Sequence, residues 1–333
     1  MPVTIKDIAK VAGVSHTTVS RALSGNPAIS QETTMRVQKI AHQMGYTPSA
    51  VAQSLLSQRT RTIGMVVTSI SDPFVAQVVE GVESIAQAAN YSVFLATSHN
   101  NPQQEINVVE TFHRRRVDAI IVTSSRLGSL YSERLVQIRI PIVLINNQEE
   151  GEYLHSVAVD DISGAQTAVE YLLGLGHRRI GYVGSVNRPR SNQRRSTGYQ
   201  IALRAAGIEP NPALMRPLNA ETDLDLGRQA LYLCREAGAT ALFCYNDVIA
   251  IGVMTACREQ NISVPGQLSV VGFDDIDPAA YVWPPLTTVA QPRYTMGQQA
   301  MEMTLALLEG REVGDQTLAC RLVVRHSAGA PAK

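Results

Sequence analysis

The chain of 333 residues has little cysteine, and Cys234, Cys244, Cys257 and Cys320 lie far apart with no CxxC pair. Such spacing indicates neither a zinc site nor a disulfide framework; it fits buried free thiols in a reducing compartment. No uncharged apolar run reaches about 18 residues, which excludes an ordinary transmembrane helix. No secretory signal is read at the start, because Lys6, Asp7 and Lys10 stand where an apolar stretch is needed. A cytoplasmic protein is expected. No GxGxxG follows a strand-like run, no GxxxxGKS or GxxxxGKT occurs, and the histidines at 16, 42, 99, 113, 155, 177 and 326 are scattered. Dinucleotide, phosphate-loop and metal chemistry therefore find no support, and no cofactor is expected.

What is present is length and apolar material. With 45% hydrophobic residues the chain can fill two or three domains. Its 29 basic and 29 acidic residues cancel, but unevenly. Residues 1 to 61 hold Lys6, Lys10, Arg21, Arg36, Lys39, Arg59 and Arg61 against Asp7 and Glu32, so this piece carries +5 and the remainder −5. A local basic excess is either a solvated face or the footprint of a polyanion, and its confinement to one terminal module makes nucleic acid the first candidate.

That module reads as three short helices on one small core. Thr4 and Asp7 form a capping-box-like start, and Ile5, Ile8, Ala9 and Ala12 follow one helical face up to Gly13. Ser15 can cap a second helix with Val19, Ala22 and Leu23 inward. Ser30 can cap a third with Val37, Ile40, Ala41 and Met44 inward, stopped by Gly45. Thr17, Thr18, Ser20, Arg21 and Ser24 of the second helix are left facing out. This could be a plain solvated face, but a helix of that width fits the major groove, where Arg can pair with guanine and a Thr methyl can touch thymine.

The stretch "TIKDIAKVAGVSHTTVSRALSG" resembles the helix-turn-helix signature of the lactose-repressor (LacI-type) family of transcription regulators. "GYTPSAVAQSLLSQRT" looks like the family's hinge, and the similarity runs to about residue 327. Two departures stand out: Thr34 occupies a place where Arg is frequent, and His16 with Thr17 occupies the pair that varies with operator sequence. The resemblance implies a dimeric repressor on a palindromic operator, with a helix-turn-helix domain at 1–46, a hinge at 47–60 and an effector-binding and dimerisation domain at 61–333. It implies that His16, Thr17, Ser20 and Arg21 read the major groove and that Thr4, Ser15, Ser30 and Thr33 hold phosphates. Ser49, Ala52 and Leu55 of the hinge would enter the minor groove, Leu55 as the wedge. On composition alone "PSAVAQSLL" is either such a helix, ordered when covered, or a linker with helical tendency. The chain ends "VVRHSAGAPAK" with no room for a heptad segment, so the assembly expected is a dimer.

After residue 61, "IGMVV", "YSVFLA", "DAIIVT" and "IPIVLI" alternate with helical stretches, and "IGYVG", "ALFCY" and "LSVVGF" form a second series. This is α/β architecture with parallel sheets in two lobes. The family plan implies three crossings between lobes, near 160, 291 and 320, giving one lobe of about 61–160 and 292–320 and another of about 161–291 and 321–333.

Ligands of open α/β sheets bind beyond the carboxyl ends of the strands. The residues there include Asp72, Phe74, Arg126, Asn146, Asn147, Arg190 to Arg195, Asn246, Asp247, Asp274 and Asp275. Asp and Asn accept from hydroxyls, Arg and Asn donate, and an aromatic ring can stack on a sugar face, so a sugar or sugar acid is the ligand expected. The family's effector positions look like Asn146, Arg195, Asn246 and Asp274, with Phe74 as an apolar wall and Arg126, Arg190 and Arg194 as added positive potential. Each also has the plainer reading of a loop cap, turn residue or surface arginine. Adjacent Asp274 and Asp275 could be imagined as an acid/base pair, but carboxylates on a loop more often cap or bind. A secreted solute receptor would share the two lobes yet need an export signal in place of the helix-turn-helix.

Overall fold

The structure, a computed structural model, describes residues 3–46, 59–127, 140–148, 155–215, 218 and 220–332. The chain divides into two compact units, Met1–Thr60 and Arg61–Lys333. The hinge positions Ser49, Ala52 and Leu55 lie outside the described residues.

In the first unit α1 (Ile5–Ala12), α2 (His16–Leu23) and α3 (Gln31–Gln43) begin at Thr4, Ser15 and Ser30. Each of these N-caps lies in extended backbone: Ser15 and Ser30 accept from the Thr18 and Thr33 N–H groups that a helix start leaves open, and at Thr4 the Asp7 carboxylate reaches back to accept from the Thr4 N–H. Gly13 follows α1 in the left-handed region, φ 68°, where a side chain would be strained. Ile8, Ala9, Ala12, Val19, Ala22, Val37 and Ala41 form the buried core, with Ile5, Leu23, Ile40 and Met44 packed on it. Small residues let three short helices approach closely.

The second unit alternates strand and helix: β1 (Thr62–Val67), α4 (Pro73–Ala88), β2 (Ser92–Thr97), α5 (Pro102–Arg114), β3 (Ala119–Thr123), β4 (Ile142–Ile145), β5 (His155–Val159) and α6 (Asp161–Gly174). It continues through β6 (Ile180–Val183), α7 (Pro189–Ala205), α8 (Asp223–Glu236), β7 (Ala241–Cys244), α9 (Asp247–Glu259), β8 (Ser269–Asp274) and the short α10 (Pro278–Tyr281). Last come β9 (Thr287–Ala290), α11 (Arg293–Leu308), β10 (Gln316–Leu318) and β11 (Arg321–Val323).

Among the described residues these strands make two sheets, ordered β10-β5-β4-β3-β1-β2 and β11-β9-β8-β7-β6. All pairs are parallel except β11 with β9. Central strands β3, β4, β7 and β8 are buried along their whole length, as strands covered by helices on both faces must be. The chain changes sheet after β5, again between β9 and α11, and finally between β10 and β11. Helices α4 and α11 cross at Gly81 and Gly297: a Cβ at either would strike backbone of the facing helix, so the pair sits closer than side chains allow. Near the chain end, His177 is buried and bonds Thr240, Ser269 and the Gly329 carbonyl, fastening residues 326–329 to the second lobe.

Candidate functional site

The first unit offers one polar surface. On α2, His16, Thr17, Arg21 and Ser24 are exposed while Thr18 and Ser20 are half-buried. Arg21 makes no side-chain bond among the described residues, so its guanidinium is available. Thr4, Ser15 and Ser30 stand at three helix N-termini, where unsatisfied N–H groups and the helix dipole attract phosphate. The Thr4 hydroxyl donates to Asp7 Oδ2 at 2.6 Å and the Thr4 N–H to the same oxygen at 3.0 Å. These bonds hold the Asp7 carboxyl below its usual range. Thr33 receives a hydrogen bond from the Ser30 hydroxyl at 2.9 Å.

The second unit contains a cleft of about 470 Å³ between the two sheets, lined by residues that follow β1, β2, β3, β4, β6, β7 and β8. Parallel strands deliver their carboxyl ends to one edge of each sheet, so these segments meet across the lobes. Asp72 caps α4 by accepting from the Phe74 N–H at 3.0 Å, which turns Phe74 into the cleft wall. Asn246 caps α9, accepting from Ile249 N–H at 2.8 Å, and donates to Asp223 Oδ2 at 2.6 Å. Asn146 donates to Gln291 Oε1 at 3.2 Å, and Gln291 donates to Asp274 Oδ1 at 2.6 Å. A relay thus runs from the end of β4, through a crossing segment, to the end of β8.

Arg195 is the buried centre of the second lobe's wall. Its Nε meets Asp161 Oδ1 at 2.8 Å, its Nη1 lies 3.5 Å from Asp274 Oδ1, and its guanidinium stacks 3.7 Å from the Phe273 ring centroid. Burial opposes the charge, but the facing Asp161, Tyr245 and Asp274 outweigh it and raise the Arg195 pKa further. Burial also pushes the Asp274 carboxyl up to about 6, against the pull of Arg195 and of the Gln291 hydrogen bond. Beneath them Asp247, wholly buried, accepts from the Ile276 N–H and the Thr288 hydroxyl; burial, reinforced by Asp274, lifts its pKa well above the carboxylate range.

Phe74, Asn146, Arg195, Asn246 and Asp274 all reach the cleft wall. Arg126 does not: it is half-buried after β3, its N–H donates to Glu105 Oε2 at 3.4 Å, and the neighbouring Ser125 hydroxyl donates to the same carboxylate. Arg190 and Arg194 are also absent from the wall, and Arg190 donates to the Asn147 carbonyl at 3.5 Å. Asp275 lies outside the cleft and pairs with Arg325 at 2.6 Å. Sequence reasoning missed Arg188, Gln148, Tyr245 and Gln291, which do line it, whereas Ser191, within the stretch Arg190 to Arg195, was included and lines it too. Arg188 sits in the same strand-to-helix turn that drew attention to Arg190; only the position of that turn's Pro189, at the first residue of α7, marks Arg188 as the residue at the helix mouth. Among the described residues no cluster of His, Cys, Asp and Glu is placed to hold a metal, and no helix is long and apolar enough to cross a membrane.

Residues 4–49 match the bacterial regulatory proteins of the lacI family, and residues 169–328 match the periplasmic binding protein-like domain. Over 332 residues the chain is 36% identical to the HTH-type transcriptional regulator GalR of Escherichia coli (strain K12), a match covering 98% of this chain and 96% of that protein. The crystal structure of the lac repressor dimer bound to operator and the anti-inducer ONPF superposes with a TM-score of 0.87 at 27% identity, covering 99% of this chain and 100% of that one. The transcriptional regulator CelR in complex with cellobiose gives a TM-score of 0.74 at 27% identity, covering 98% of this chain and 99% of that one.

Proposed function

Because the chain belongs to the lacI family of bacterial regulatory proteins, and so is a DNA-binding transcription regulator rather than an enzyme, we propose that it is a dimeric repressor of a pseudo-palindromic operator, controlled by a sugar or sugar derivative in its cleft. The observation that carries the DNA half is the face of α2 with His16, Thr17 and Arg21 exposed, its guanidinium bonded to no other described residue, in a unit that carries +4 while the remainder carries −4. Arg21, Thr17, His16 and Ser20 read base edges, while Thr4, Ser15, Ser30 and Thr33 hold the backbone. The hinge at 47–60, through Ser49, Ala52 and Leu55, enters the minor groove.

The cleft supports the effector half. Phe74 supplies an apolar face, and Asn146, Arg195, Asn246 and Asp274 supply donors and acceptors for hydroxyls. A solved relative carries cellobiose, a sugar. Domains at 1–46 and 61–333 then communicate through the hinge, and ligand and operator influence each other reciprocally. Gel-shift titration of a palindromic operator tests this reading: full-length protein binds, and a fragment of residues 61–333 does not. Light scattering gives the mass of two chains. Retained operator binding by the fragment overturns the assignment.

A further inference from the structure

The two arginines of the cleft do different work. Arg195 stays within its own lobe, joined to Asp161 and Asp274. Arg188 leaves it. Standing at the mouth of α7 in the second lobe, it sends Nη2 to Asp72 Oδ2 at 3.1 Å and Thr68 Oγ1 at 3.4 Å, and Nη1 to the Ser124 hydroxyl. Those partners are the residues that follow β1 and β3 in the first lobe. The pair is mostly removed from water, with Arg188 21% and Asp72 23% exposed. A second tie lies beside it: Gln148 of the first lobe accepts from the Ser191 hydroxyl at 3.1 Å and from its N–H at 3.3 Å.

The charges on the wall are already spent. Arg188 is matched by Asp72 and Arg195 by Asp161 and Asp274, and among the described residues the lining then adds Glu221 and Asp223 with no further arginine or lysine. Asp223 is turned toward Asn246. The one buried atom of the lining that lacks a partner, among the described residues, is an acceptor, Asn100 Oδ1. A carboxylate or phosphate brings acceptors to such a wall and finds both guanidiniums engaged; a hydroxyl-bearing molecule brings the donor that Asn100 lacks.

We propose that Arg188 is the interlobe latch and charge-selecting residue of the cleft: held by Asp72, it ties the lobes together and confines the effector to uncharged, hydroxyl-rich molecules, excluding carboxylated and phosphorylated ones. This rests on the cleft being the effector site. A neutral effector keeps the latch intact, whereas an anion must compete with Asp72 for Arg188 against two uncompensated carboxylates.

The test uses full-length protein and matched neutral and anionic probes: D-galactose with D-galacturonate, D-glucose with D-glucose 6-phosphate, and D-ribose with D-ribose 5-phosphate, in calorimetric titration. A neutral member binds at least about tenfold more tightly than its anionic counterpart. In Asp72→Asn, which can still cap α4 but no longer neutralises Arg188, that preference shrinks about tenfold. Hydrogen exchange read by mass spectrometry gives a second arm that needs no ligand. Arg188→Gln and Asp72→Asn speed exchange several-fold in segments 68–72 and 187–191, leaving 269–274 unchanged. An anionic probe that matches or beats its neutral counterpart, or a preference untouched by Asp72→Asn, overturns the charge selection while leaving the effector site standing. Unaltered exchange in Arg188→Gln overturns the latch. Probes that all fail to bind count against the effector-site reading instead, and the exchange arm then decides the latch by itself.

Discussion

The DNA-reading unit and the two-lobed unit use polar side chains in opposite ways. In the first, the bonds are short in sequence and exposed: Thr4 with Asp7, Ser15 with Thr18, Ser30 with Thr33. They fix helix starts and leave the outward face of α2 uncommitted. In the second, the bonds are long in sequence and wholly or partly buried, joining Arg195 to Asp161, Asp247 to Thr288 and Asn146 to Gln291. A surface whose fold does not depend on its polar groups can give them all to a partner. A cleft whose polar groups also hold its walls cannot, so function and stability should separate on α2 and stay joined around Arg195.

The strongest test of that contrast is Arg195→Ala. It leaves the largely buried Asp161 and Asp274 carboxylates without their guanidinium, and should cost about 3–5 kcal/mol of stability in urea denaturation of the two-lobed unit. A loss below about 1 kcal/mol would erase the distinction between the regions.

Next in size is the pH dependence of Asp274. Burial holds its folded pKa up near 6, above the unfolded value, so the folded chain keeps a proton that the unfolded chain has already released. The stability from this group is complete in acid, below the unfolded pKa, and is lost as pH rises through about 6. Asp274→Asn cannot titrate. Relative to the variant, the wild type should lose about 2 kcal/mol between about pH 4.5 and about pH 7.5, measured by denaturation at each pH. Parallel curves for the two proteins would mean that the carboxyl titrates normally.

On the other side of the comparison, Arg21→Ala should weaken operator binding by about 1–3 kcal/mol in a gel-shift titration. The melting temperature of the protein should stay the same, because this guanidinium bonds no other described residue of its unit. A shifted melting temperature with unchanged operator affinity would place Arg21 among the structural residues. The smallest effect belongs to Ser15→Ala, which removes the acceptor for the Thr18 N–H. It should lower the stability of the first unit by about 1 kcal/mol, followed by helix signal on heating.

The same difference in range explains what could be read in advance. Helix starts at Thr4, Ser15 and Ser30, stops at Gly13 and Gly45, and the alternation of strand and helix after residue 61 are written within a few residues of where they act. Phe74, Asn146, Asn246 and Asp274 were legible for a related reason: each ends or follows a strand, and parallel sheets place such residues at one edge. Gln148 and Gln291 were not. Gln148 finds Ser191, and Gln291 finds Asn146, only once separate lobes have been brought together. Arg188 was hidden by its neighbours, since one turn offers several arginines and the sequence does not say which one the mouth of α7 aims across the cleft. Arg126 erred the other way: a basic residue after a strand looks available, but its turn is bonded to Glu105.

The crossings between sheets also set an order of assembly. The face of the first sheet made by Ile63, Met65, Ile121 and Val143 is covered in part by Met296, Ala300 and Met301 of α11, and β5 gains its outer neighbour only with β10. On a ribosome, therefore, the lobe whose strands emerge first remains incomplete until residues beyond 308 have been made, while strands β6 to β9 of the second lobe can already be paired. The earlier-made lobe waits for the later one. Such long-range closure makes folding slow relative to the chain's local helices, and it leaves an apolar sheet face exposed during synthesis. The late segment 293–318 thus acts as the keystone of the lobe encoded first, and the second lobe is sealed later still, by β11 on β9 and by residues 326–329 on His177 and Ser269.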